Sequence, residues 1–124
     1  MIDPIVGASP VELDIEPALR RRLFDLARGR PIVIDYYASH HCGVTVGDLT
    51  VGFATRPLEP RYLELVPIEG VRVLAEQRIV RLLSDGATLR RAALPFSRHL
   101  GISLTHPERW IDFLERCPTN RRRS

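Results

Sequence analysis

The sequence predicts a small α+β domain on a mostly antiparallel β-sheet or sandwich, with an N-terminal helix, a short middle helix and a C-terminal helix. Three observations carry that expectation: predicted strands outnumber predicted helices, the strands arrive in runs, and single helices stand before, between and after them. The chain has 124 residues, 44% of them hydrophobic and 27% charged, enough apolar material for one core and too little length for a second domain. The domain is expected over residues 11–117, with 1–10 as an N-terminal extension and 118–124 as an arginine-rich tail without fixed order.

Val11 to Ile15 has extended character, and Pro17 follows at a place where a first helical position tolerates proline, with Asp14 or Glu16 near enough to favour a helix start. Leu19, Leu23, Leu26 and Ala27 recur at helical spacing and predict one apolar face, which Gly29 ends. Arg20, Arg21, Arg22 and Arg28 read as the solvated side of that helix. The run Ile32 to Tyr37 is short, β-branched and aromatic, which predicts a well-covered strand. Ala38 to Gly47 is expected to break it as a loop. Leu49, Val51 and Phe53 then alternate with Thr50, Gly52 and Ala54, the two-residue period of a half-buried strand.

Arg56 to Pro60 reads as a loop, because its two prolines cannot both serve a central ladder. Leu63 and Leu65, a turn over Pro67 to Gly70, and Val71 to Leu74 predict a hairpin. Glu76 to Ser84 carries Ile79, Val80, Leu82 and Leu83 and predicts a short amphipathic helix closed by Gly86. Thr88 to Leu94 and Leu100 to Leu104 predict two further strands. Thr105 with Glu108 has capping-box spacing, and Trp110, Phe113, Leu114 and Cys117 fall on one helical face, so a last helix is expected to about Arg116.

All 18 basic residues are arginine, and three of them, Arg121, Arg122 and Arg123, lie among the last four positions. Without those three the net charge of +3 falls to zero, so the tail alone carries the basic excess. The aromatic residues do not interleave with a basic stripe, which argues against nucleic-acid binding. No apolar run approaches the roughly 18–20 residues of a membrane span, and Met1-Ile2-Asp3-Pro4 lacks the features of a secretory leader, so no membrane and a cytoplasmic location are expected. Both cysteines, Cys42 and Cys117, are then expected to be reduced.

Ser39-His40-His41-Cys42-Gly43 is the one dense cluster of soft ligands, and Cys42, His40 and His41 are the candidate metal ligands. Thiolate and imidazole suit zinc, copper or an iron–sulfur centre. Neighbours in an extended segment point to opposite sides, so a full site needs a partner from elsewhere: Asp48, His99, His106, Cys117 or a second copy. A thiol enzyme is the next reading, with Cys42 as nucleophile, His40, His41 or His99 as base and the Gly43 amide as oxyanion donor. The bland alternative makes the histidines solvent-facing and Cys42 a small buried filler. The glycine-rich nucleotide loops, the serine-hydrolase elbow and the zinc-protease helix motif are all missing, which removes those classes.

The order of elements resembles the HesB-like fold of the A-type iron–sulfur scaffold proteins. The likeness runs through an N-terminal strand and helix, a strand entering the Cys42-Gly43 segment, β-hairpins, Gly70-Val71-Arg72-Val73, a short helix ending in Asp85-Gly86, and a closing strand. Gly101-Ile102-Ser103-Leu104, Pro107-Glu108, Phe113-Leu114 and Arg116 also resemble the ending of a sister family of small bacterial proteins of unknown function, often encoded beside aldehyde dehydrogenases. The resemblance implies a scaffold or metal carrier, with Cys42 standing for the mid-chain cysteine of those families. The chain departs from their pattern in having no Cys-Gly-Cys, in carrying His40-His41 where they favour glycines, and in ending on a helix.

The expected function is accordingly a binding or assembly role ahead of catalysis. The candidate cofactor is an iron–sulfur cluster or a transition metal, and the candidate partners are a second copy in a homodimer or another protein. The alternatives are a thiol-dependent enzyme using Cys42, or an interaction module without metal.

Overall fold

The computed structural model describes residues 3–92 and 100–116. Strand character enters earlier than the sequence suggests. Ile5–Ala8 forms β1, in the segment expected to be an extension, and pairs in parallel with Tyr62–Glu64, β5. Asp14–Ile15, β2, pairs in parallel with Ala87–Arg91, β7.

The predicted first helix is two short ones, α1 over Pro17–Arg20 and α2 over Leu23–Ala27, with a turn between them. The break keeps Leu19, Leu23 and Ala27 buried while Phe24 stays exposed. Arg28 is the left-handed cap at φ 51°, and Gly29 continues at φ 76°, as the predicted stop requires. Arg30 folds back to donate from Nε to the Ala27 carbonyl, which also accepts the Arg30 amide, and from Nη2 to the Leu26 carbonyl at the helix end.

Strand β3 runs over Ile32–His41 and β4 over Val44–Phe53, paired antiparallel through ten positions. The expected loop from Ala38 to Gly47 is therefore corrected: it is the far half of one long hairpin. The alternation Ile32, Ile34, Tyr36 does not stop at Tyr37, since Ala38 is fully buried on the same face. The turn is only Cys42-Gly43, at φ 51° and φ 80°, the double positive φ of the tight hairpin turn. Gly47 is obligatory, because a Cβ there would lie 2.1 Å from the Tyr37 carbonyl oxygen.

Strand β5 pairs antiparallel with β6, Val73–Glu76, around a turn held by Ile68 and Val71, so the predicted hairpin is present. The middle helix starts later than expected. Glu76 belongs to β6, and α3 covers only Val80–Ser84. Strand β7 and β8, Leu100–Leu104, pair antiparallel, and α4, Glu108–Arg116, closes the described chain. Thr105 sits over Gly86, where a Cβ would approach its Oγ1 to 2.5 Å. Leu94 and Cys117, expected in a strand and on the last helix, lie outside the described residues.

The sheets are ordered β1-β5-β6-β3-β4 and β2-β7-β8. Both are mixed rather than mostly antiparallel, because β1 and β2 run parallel to their later neighbours and β3 runs parallel to β6. The α+β class stands. One core draws Leu19, Leu23, Ile32, Ile34, Val73, Ala75, Ile79, Leu83 and Leu89 from both sheets and from α1, α2 and α3, with Trp110, Phe113 and Leu114 of α4 packed against it. No helix among the described residues is long and apolar enough to cross a membrane.

Candidate functional site

The predicted ligand cluster lies at the tip of the β3–β4 hairpin. Cys42 is exposed there, not the buried filler one reading expected, and no described residue hydrogen-bonds its thiol. His40 is also exposed, with Nδ1 3.4 Å from the Thr45 hydroxyl across the ladder. His41 pairs through its backbone with Val44. Asp48, in β4, accepts the Leu49 amide through Oδ1. His106 lies 3.5 Å from Glu108 at the start of α4, and His99 and Cys117 fall outside the described residues.

Among the described residues no three His, Cys, Asp or Glu side chains are grouped to hold a metal ion. At the hairpin tip, one described thiol and one described imidazole do not amount to the donor set of an iron–sulfur centre. The described residues of a single chain therefore do not fit that group.

A denser polar constellation, which sequence reading missed, lies across β3, β6 and β5. Asp35 follows Ile34 on β3 and so faces away from the core. Its Oδ2 accepts the Tyr62 hydroxyl at 2.5 Å and Arg61 Nη2 at 2.7 Å, and its Oδ1 accepts the Tyr36 amide. Burial, and then the bond to Asp35, pushes the Tyr62 phenol up to about 12. Glu76, opposite Tyr62 in the ladder, has no exposed surface. Burial raises its carboxyl above the ordinary 4.5, against the pull of the Arg78 amide on Oε2 and the Arg78 guanidinium.

Arg78 connects this constellation to the opposite side of the sheet. Its Nε lies 3.4 Å from Glu76 Oε1, and its Nη1 donates to the Tyr36 hydroxyl at 3.2 Å. Tyr36 meets Trp110 and Phe113 of α4 edge to face, and those two rings stack at 5.4 Å. Beside them a groove of about 440 Å³ opens between α3 and α4, lined by Arg78, Arg81, Leu82, Asp85, Arg109, Phe113 and Arg116. Among the described residues, four arginines thus line one cavity with a single carboxylate, Asp85, which lies 3.9 Å from Arg109.

Each pair of arginines is ordinary in sequence: Arg78 and Arg81 precede and enter α3, and Arg109 and Arg116 lie on α4. Only the packing of the two helices brings the pairs together. The one available signal was that arginines 78 and 81 recur three apart and arginines 109 and 116 seven apart, spacings that return to the same side of a helix.

Neither a family model nor a curated protein matches this chain.

Proposed function

We propose that this chain is a binding protein for an anionic ligand, held in the groove between α3 and α4. The observation that carries the reading is the convergence of Arg78, Arg81, Arg109 and Arg116 on one cavity that has one lining carboxylate among the described residues. Guanidinium forks bind carboxylate and phosphate oxygens in pairs, and a concave site that excludes part of the water strengthens each such bond. The groove's 440 Å³ falls within the roughly 300–1,000 Å³ of small-molecule sites. Arg78 supports this role because it is anchored from behind by Tyr36 and Glu76.

A second groove, of about 670 Å³, holds Arg22, Arg28, Arg30 and Asp25. It is the weaker candidate. Arg30 there is already spent on two helix carbonyls and on the Phe53 ring, 5.0 Å away.

The HesB-like architecture stays part of the proposal, supported by the order of elements and by Cys42-Gly43 at the end of β3. A metal or iron–sulfur role at Cys42 and His40 would require donors from a second copy or from residues outside those described. Its test is metal content of anaerobically purified protein against Cys42→Ala.

Trp110 is the only tryptophan and stacks on Phe113, so its fluorescence reports on the groove. Titration with inorganic pyrophosphate or citrate is expected to give a saturable change that the Arg81→Gln, Arg116→Gln double variant loses. Replacing Arg121, Arg122 and Arg123 is expected to leave it intact. A change that is not saturable, or one that survives the double variant, overturns the reading.

A further inference from the structure

We infer that the ligand of the α3–α4 groove is a phosphate monoester carried on a small aromatic or apolar body, an inference that rests on the anion-binding reading above. The first argument is a count of uncompensated charge. Of the four arginines, Arg78 lies against Glu76, with Nε and Oε1 3.4 Å apart, and Arg109 faces Asp85 at 3.9 Å. Arg81 of α3 and Arg116 of α4 have no carboxylate partner among the described residues. Among the described residues the groove thus keeps two cationic groups without a carboxylate, one from each helix.

A dianion matches two free guanidinium groups, and a monoanion leaves one of them unpaired. Arg116 spends its Nε on the Asp112 carbonyl at 3.2 Å, which leaves the terminal nitrogens of its fork for a ligand. No described residue bonds the Arg81 guanidinium. A phosphate monoester is close to doubly charged at neutral pH, with its second ionisation at about 6, and it offers three oxygens to forks arriving from different directions. A diester keeps only one charge.

The second argument is the shape and composition of the lining. Leu82 and Phe113 contribute an apolar patch to the same cavity, and Phe113 belongs to the Tyr36–Trp110–Phe113 cluster. A bare phosphate ion leaves that patch and most of the 440 Å³ to water. An aromatic body on the phosphate covers the patch and stacks or meets the Phe113 ring. The four arginines set the head group, and Leu82 with Phe113 sets the body.

The test uses the whole chain, with Trp110 fluorescence and calorimetry, and compares ligands sharing one ring: phenyl phosphate, methyl phenyl phosphate, benzoate and phthalate, with inorganic phosphate beside them. Phenyl phosphate is expected to bind roughly tenfold or more tightly than the diester, benzoate, phthalate or inorganic phosphate, the factor corresponding to one charge-assisted contact or one covered apolar patch. Arg81→Gln and Arg116→Gln are each expected to weaken phenyl phosphate by about tenfold. Phe113→Leu is expected to reduce the preference for phenyl phosphate over inorganic phosphate. Should that variant fail to fold, the ligand series on the unaltered chain decides alone.

Equal binding of phthalate or of the diester overturns the monoester assignment while leaving an anion site in place. Equal binding of inorganic phosphate overturns the aromatic body. If pyrophosphate and citrate also fail to bind, the anion-binding reading falls with it.

Discussion

Glu76 Oε1 lies 3.4 Å from Arg78 Nε and makes no hydrogen bond, although the Glu76 side chain has no exposed surface. A buried carboxylate oxygen without a hydrogen bond destabilises the fold when the group is ionised. The same contact sets the back wall of the arginine groove. Stability and the proposed binding site thus meet at this pair.

The burial of Glu76 fixes a sign for the pH dependence. Burial raises the folded-state Glu76 carboxyl above its ordinary value, so in that range the folded chain holds a proton the unfolded chain has released. Stability then falls as pH rises from 4.5 through the raised value of Glu76. Glu76→Gln is expected to flatten that fall, measured as denaturation midpoints between mildly acidic and neutral pH. An unchanged slope contradicts it.

Tyr62→Phe removes the hydroxyl that Asp35 Oδ2 accepts at 2.5 Å. Arg61 still faces the carboxylate, so the expected cost is about 2 kcal/mol, the range for a bond to a charged group. By comparison, Arg72→Ala breaks the exposed pair with Glu64 and is expected to cost less than about 1 kcal/mol. Urea denaturation of both variants checks the order.

The hairpin turn gives a third expectation. Cys42 occupies a left-handed conformation at φ 51°, which asparagine and glycine adopt more readily. Cys42→Asn is expected to stabilise the chain by up to about 1 kcal/mol, and Gly43→Val to destabilise it by about 1–2 kcal/mol. Thermal melts decide. A loss of stability in Cys42→Asn instead points to a contact of the thiol.

The sequence made β8, the β5–β6 hairpin and α4 legible because each carries its own period: Leu100, Ile102 and Leu104 at two, Trp110, Phe113 and Leu114 at helical spacing. The β3–β4 hairpin was half legible. His40, His41 and Cys42 look like a chemical cluster, whereas the strand signal lies in Ala38 on the buried face and in the β-branched Val44-Thr45-Val46. A Cys-Gly turn also lacks the usual Asn-Gly signature. The parallel pairing of β1 and β2 left no local trace, since it depends on where β5 and β7 come to lie.

The candidate site was less legible still. Glu76 reads in sequence as the first residue of a short helix, yet it ends a buried strand. Arg78 and Arg81 are separated from Arg109 and Arg116 by about a quarter of the chain, and no periodicity joins them. Tertiary packing of α3 against α4 supplies the convergence, and that is a property of the fold rather than of any segment.

The most direct measurement is amide chemical-shift mapping of the isotope-labelled chain as pyrophosphate is added. The account predicts saturable shifts concentrated at 78–85 and 108–116, absent in the Arg81→Gln, Arg116→Gln double variant. Shifts centred instead on 22–30 and 52–55, or on the hairpin tip at 40–45, would contradict it.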